Sequence, residues 1–180
     1  LYSDNGVAFI DTTGNLILEQ NGETVTLAVD ALPDARILVD EEDRLLLLTA
    51  PTDRYGHGVL GDALEAGAIT LVETAPEPRV VQTITIPAPQ VVEGIAPIWA
   101  DLDGDEEREI VVTLSDAEQG AQIIVYDEAG QQLAAGPAIG RAFRWRHQLA
   151  VAPFDTDGAL MLADVLTPHI GGVVEFYRLV

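Results

Sequence analysis

Apolar residues come in short runs rich in Val, Ile and Leu, broken by Gly, Asp, Asn and Pro, and this pattern predicts strand after strand. The runs lie at 7–11, 15–19, 24–29, 36–39, 44–49, 68–73, 80–86, 97–101, 109–114, 121–127, 148–154, 160–165 and 173–179. One window, 59–66, has some helical character, with glycines bracketing it closely. Short strands at regular spacing predict an all-β sandwich, barrel or propeller rather than alternating βαβ units.

Repeats decide among these. Three stretches share one order of events: a short apolar strand, an acidic turn, a strongly apolar strand, a loop with Gly, and a further strand ending near an aromatic or acidic residue. They are 36–40 with 45–49 and 68–73, 98–101 with 110–114 and 121–127, and 151–155 with 160–163 and 172–177. Their last strands begin at Ile69, Ile123 and Val173, spacings of 54 and 50 residues. An echo pairs Phe9, Asp11 and Gly14 with Val125, Asp127 and Gly130, 116 positions on. Four-stranded antiparallel units of 50 to 60 residues are the blades of a β-propeller.

The expected units are 36–90, 95–140 and 143–180, with 1–35 the outer part of a preceding blade, all in a single domain of about three to three and a half blades. Propellers close with four to eight blades, so the chain is expected to be part of a larger one. Its two open sheet faces would be covered by further chain or by self-association. The proline stretches 74–78 and 87–90 are short and read as loops within or between blades. The longest irregular connection, 53–67, is the place to look for a partner surface.

Composition narrows the partners. Thirty Asp and Glu stand against nine Arg and no Lys, a formal charge of −21 in 180 residues, which repels phosphate backbones and anionic membranes and excludes nucleic acid. No apolar run approaches the roughly 18 residues that span a bilayer, and the start carries no charged and apolar leader, so a soluble, mature or trimmed chain without membrane insertion is expected. Without cysteine there is neither a disulfide framework nor thiolate chemistry. The balance favours cations as ligands.

The densest acidic segment is Asp101-Leu102-Asp103-Gly104-Asp105-Glu106-Glu107-Arg108-Glu109, which leads into the strand Ile110-Val111-Val112. It resembles the acidic loop and following strand of FG-GAP or VCBS repeats, the blades of integrin-α-like propellers widespread in secreted and surface bacterial proteins. The resemblance implies one calcium held by the side chains of Asp101, Asp103, Asp105 and Glu109 and by the carbonyl of Glu107. Two positions depart from the family: Glu106 stands where Gly is common and strains the turn, and Glu109 stands where Asp is common, one methylene longer.

Charge leads to the same ion. Five carboxylates, at Asp101, Asp103, Asp105, Glu107 and Glu109, repel one another with only Arg108 to relieve them locally. Calcium takes six to eight hard oxygens, which such a turn supplies. The competing reading is a solvated acidic turn. The equivalent turns are short: Asp155-Thr156-Asp157-Gly158 runs straight into its strand, and Asp40-Glu41-Glu42-Asp43-Arg44 is no longer. One calcium is expected, with Asp155 and Asp157 a weaker second place.

A catalytic reading rests on histidines and arginines, because the chain has no P-loop, Gly-x-Ser-x-Gly, His-Glu-x-x-His or cysteine nucleophile. The candidates are His57 in the 53–67 insertion, Arg144, Arg146 and His147 entering the last unit, and His169 in its middle loop. His57 and His169 follow equivalent strands and are expected near one face. They resemble, in residue type, the His, Tyr and Arg sets of propeller-based polysaccharide lyases and sugar dehydratases. Loop histidines also serve simply to bond backbone groups. On a strand, Phe143, Trp145 and His147 would share one face and Arg144, Arg146 and Gln148 the other. Three arginines from Arg141 to Arg146 make the only basic patch, able to hold an acidic sugar or a carboxylate. Otherwise the aromatics pack between blades, as Trp99 does, while the arginines pair with neighbouring carboxylates.

Two functions stand. The first is a non-catalytic, calcium-stabilised, extracytoplasmic (periplasmic, secreted or surface) propeller module that binds a protein or a carbohydrate. The location follows from millimolar calcium outside cells. The alternative is the catalytic propeller of a sugar-active enzyme, which requires at least two of the histidines to converge in a concave pocket.

Overall fold

Residues 6–58, 61 and 63–179 are described by a computed structural model, and among them the chain forms fifteen strands and no helix. The first three are β1 (Gly6–Ile10), β2 (Asn15–Gln20) and β3 (Glu23–Ala28), which make an antiparallel sheet in chain order. Next comes a meander of β4 (Leu38–Val39), β5 (Leu45–Thr52), β6 (Glu65–Glu73) and β7 (Arg79–Thr85), the last three each antiparallel to the strand before. After the short β8 (Val91–Val92), a second four-stranded meander follows: β9 (Ile98–Ala100), β10 (Glu109–Ser115), β11 (Gln122–Tyr126) and β12 (Gln132–Ala135). The last sheet is β13 (Arg146–Ala152), β14 (Met161–Leu166) and β15 (Val173–Tyr177). At one corner, Val92 of β8 pairs with both Ala66 and Leu114, joining the two meanders into a nine-stranded sheet. Among the described residues no sheet closes on itself.

Three details differ from the pattern-based expectation. In the window 59–66, Glu65 and Ala66 belong to β6, and Val59, Leu60 and Asp62 lie outside the described residues. Strands β8 and β12 are additions, too short or too mixed in polarity to show as apolar runs. The last sheet starts at Arg146, and Phe143 has a positive φ of 55°, so the alternation over 143–148 does not hold. Trp145 and Arg146 are adjacent and both buried.

The continuous apolar runs of β5, β10 and β11 are explained by burial on both faces. Leu46 and Leu48, beside Leu71 and Ile69 of β6, pack on Ile110, Val112 and Leu114 of β10 and on Ile124 and Tyr126 of β11. The alternate residues Leu45 and Leu47 face the other way, onto Leu16 and Leu18 of the first sheet. Val111, Ile123 and Val125 turn from the central seam toward Leu162 of the last sheet. The first sheet, the two joined meanders and the last sheet thus form four layers that stack through three apolar seams, each fully buried Leu or Ile adding about 1.5–3 kcal/mol. The two end faces leave Val7 and Phe9 exposed on one side, Val174 and Phe176 on the other.

One turn recurs. At Asp11, Asp40 and Asp127, the Asp N–H donates to the carbonyl four residues on, and the N–H of that fourth residue donates back to the Asp Oδ1 at 3.0, 2.8 and 2.7 Å. The residue before it has positive φ in every case: Gly14 at 80°, Asp43 at 60° and Gly130 at 90°. This is a tight hairpin loop ending in the left-handed region, with the Asp carboxylate capping its N–H groups.

Candidate functional site

Strand β10 connects two chemically opposite ends of the stack. Its first residue, Glu109, ends the acidic loop, and its last, Ser115, lies about 20 Å away at the usual rise per residue.

At the acidic end, carboxylate oxygens of Asp101, Asp103 and Glu109 lie within 4.8 Å of one another, a group that could hold a metal ion. The loop's backbone builds this convergence. Asp101 accepts from the N–H groups of Gly104 at 2.6 Å and Glu106 at 3.1 Å, and Asp103 from Asp105 N–H at 3.3 Å. Glu109, only 3 % exposed, accepts from Leu102 N–H at 2.7 Å. These bonds, Gly104's first, hold the half-buried Asp101 carboxyl below its ordinary range. Glu109 is pushed the other way, by burial first and then by the charges of Asp103, Asp105 and Asp101. Of the four expected side-chain ligands the structure gathers three; the Asp105 carboxylate accepts from Glu107 N–H at 2.9 Å. Glu106, where the family resemblance put a strained position, has φ of 72°.

Arg108, the nearest cation in sequence, points elsewhere. It donates to the Trp99 carbonyl at 2.8 Å and pairs with Glu41 of the neighbouring meander. The other two acidic turns are supplied with cations: Arg44 Nε bonds Asp40 at 2.6 Å, and Arg178 bonds Asp157 at 2.8 Å and reaches Asp155 at 3.5 Å. Asp157 is correspondingly held below its ordinary range, by the Ala159 N–H first and by Arg178 next. An arginine therefore stands at the weaker place expected at Asp155 and Asp157.

At the other end, the 53–58 segment meets the linker into the last sheet. Tyr55 is buried, its ring stacked on Phe143 at 5.5 Å and its hydroxyl accepting from Phe143 N–H at 2.7 Å. The linker is seated by Ile139 N–H on Ala121 O at 3.0 Å and Gly140 N–H on Gln119 O at 2.7 Å. Gly120 makes this approach possible: it has φ of 69°, and a Cβ there would lie 1.9 Å from the Arg141 carbonyl oxygen. His57 Nδ1 is hydrogen-bonded to Glu93, which is 1 % exposed and takes Ser115 Oγ on its other oxygen.

The candidate catalytic set divides. His57, Arg144 and His169 line one hollow of about 80 Å³. His147 lines a different hollow with Arg36, and Trp145 borders both, its ring centroid 4.8 Å from His147 and 5.6 Å from His169. Desolvation, and then the charge of Arg36, push the His147 imidazole below its ordinary value. Arg146 is absorbed in structure, pairing with Asp164 at 2.9 Å and Glu175 at 2.8 Å within its own sheet rather than with a neighbouring unit. Among the described residues no three His, Asp or Glu converge at this end as a metal-binding group. Pattern reading passed over Glu93, although the signal was there: it is the only charged residue between Arg79 and Asp101, directly after two valines, so its charge had to be buried against a partner.

No family model, curated protein or solved structure matches the chain.

Proposed function

We propose that the chain is a run of β-propeller blades of the FG-GAP/VCBS kind, forming a non-catalytic, calcium-stabilised module that works outside the cytoplasm and binds a protein or carbohydrate ligand. The single observation that carries the reading is the convergence of Asp101, Asp103 and Glu109 with no arginine among them, while the equivalent acidic turns each hold one. Hard oxygen donors in a flexible turn suit calcium, with water completing six to eight ligands. The ion would cancel the repulsion at Glu109 and fix the loop at the blade corner. The face-to-face stacking of four antiparallel layers, the middle two joined at β8, supports the propeller reading, since radial blades pack in this way. The catalytic alternative stands second: His57 and His169 share a hollow with Arg144, the convergence it needs, whereas Arg146 is taken by Asp164 and Glu175 and His147 lies beyond Trp145.

Calorimetric titration with calcium, and thermal melts in calcium and in chelator, test the reading on the native sequence and on Asp103→Ala. One calcium per chain is expected, at the roughly 0.1–1 mM affinity of extracellular modules, with a rise in melting temperature that the substitution abolishes. Absence of binding, or binding indifferent to Asp103→Ala, would reduce the loop to a solvated acidic turn.

A further inference from the structure

The hollow between the 53–58 segment, the linker and the β14–β15 loop brings an arginine together with two of the chain's three histidines. Its wall includes His57, Phe143, Arg144, Trp145, Pro168 and His169. Arg44, Arg79, Arg108, Arg146 and Arg178 all pair with carboxylates, and Arg54 is taken up by the carbonyls of Ile86 and Gln90. Arg144, like Arg36 and Arg141, has no carboxylate partner among the described residues, but it alone of the three lines a hollow with two histidines; one of its nitrogens donates to the Phe143 carbonyl at 2.7 Å. With thirty acidic side chains available, an arginine left unpaired beside two histidines marks a place prepared for an anion from outside.

The histidine is held for the same purpose. A carboxylate only accepts hydrogen bonds, so Glu93 takes the His57 Nδ1–H; in the protonated ring, ion-paired with Glu93, the Nε2–H is left to donate to a ligand oxygen. Ser115, at the end of the rigid strand β10, fixes Glu93 in turn. His169 is oriented by stacking on Trp145, with an interplanar angle of 18°. Apart from Thr167 the remaining wall is apolar, with Phe143 51 % exposed. At about 80 Å³ the hollow takes one small charged group and the carbons next to it, not a whole ring system.

We propose that this hollow is a receptor for a carboxylate carried on a small carbon skeleton, with Arg144, His57 and His169 holding the oxygens and Phe143, Trp145 and Pro168 taking the carbons. The carboxylate comes from a free short-chain acid or from a sugar acid. The site lies at the far end of β10 from the acidic loop, so it stands or falls separately from the calcium reading.

The three histidines provide the readout, because His147 lies in a different hollow and serves as an internal control. The intact chain, saturated with calcium, is titrated with acetate, glucuronate and glucose while the histidine ring signals are followed by NMR. Saturable shifts of His57 and His169, without His147, are expected from acetate or glucuronate and not from glucose. Acetate alone identifies a short-chain acid, whereas tighter binding of glucuronate identifies a sugar acid. Arg144→Gln is expected to weaken binding about tenfold or more with unchanged melting, since a charge-assisted hydrogen bond is lost. If that variant melts differently, His169→Gln is the second test, with the same expected loss. Indifference of the His57 and His169 signals to both anions, equal shifts from glucose, or undiminished affinity in the variants would overturn the proposal.

Discussion

Arg44 grips Glu128 with both terminal nitrogens, at 2.6 and 2.9 Å, across 84 positions of sequence and between two neighbouring meanders. The same Glu128 accepts from Trp99 Nε1 at 2.9 Å, and the Arg44 guanidinium lies 5.2 Å from the centre of the Trp99 ring. Because these groups are half-buried and share partners, Arg44→Met should cost about 1–3 kcal/mol in denaturant unfolding, well above an ordinary surface pair. The exposed Arg79–Glu73 pair is the control: Arg79→Met should change stability by less than about 0.5 kcal/mol. Equal effects would mean that the clamp adds nothing beyond surface charge.

Glu106 occupies the left-handed region at φ 72°, which costs a side chain with a Cβ about 1–2 kcal/mol relative to glycine. Glu106→Gly should therefore raise stability, by about 1 kcal/mol after the added chain entropy of glycine in the unfolded state. Loss of a negative charge would also help, so Glu106→Gln is measured beside it. If Gln stabilises as much as Gly, charge and not backbone strain limits the loop.

The strands and seams were largely legible because burial on both faces leaves a run such as Leu45 to Leu48 with no polar alternation to misread. The recurrent turn was legible too, since Asp11 and Gly14 repeat as Asp127 and Gly130. Strand β8 was not, because two valines have no period. The acidic loop could be found from charge alone, but its ligand set could not. Which carboxylates converge is set by the path of the turn, which brings Glu109 back under Leu102 N–H beside Asp101 and Asp103. Arg146 and Arg144 look alike in sequence; only the placement of Asp164 and Glu175 on β14 and β15 makes one a structural ion pair and leaves the other unpaired.

Glu109 gives opposite signs in two states. Without an ion its buried carboxylate is opposed by Asp101, Asp103 and Asp105, so Glu109→Gln should raise the melting temperature in chelator. Gln retains an oxygen for the Leu102 N–H. In calcium the order should reverse, with the variant losing most of the calcium-induced shift. Native affinity should also fall as pH drops and Glu109, whose carboxyl is pushed up, takes a proton. A calcium shift that survives Glu109→Gln would place the ion elsewhere.

Asp164 supplies the pH dependence with the clearest sign. It is fully buried beside Arg146, and desolvation outweighs that guanidinium, pushing its carboxyl from 3.8 up to about 6. Two atoms of the pair, Arg146 Nε and Asp164 Oδ1, are buried without a hydrogen-bond partner, consistent with a charge that is incompletely compensated. Between pH 3.8 and about 6 the folded chain keeps a proton that the unfolded chain has released, so this group's contribution to stability is largest in acid and declines as pH rises through that window. A shift of this size corresponds to about 3 kcal/mol. Other carboxylates, such as Asp101 and Asp157, are held low and act in the opposite direction, so total stability does not isolate the effect. The difference between the native chain and Asp164→Asn does, because the amide cannot titrate. Urea unfolding of both at several pH values from 4 to 7 should show that difference falling as pH rises. A difference that rises with pH would mean that Arg146 wins over desolvation and the pair stabilises as an ordinary salt bridge.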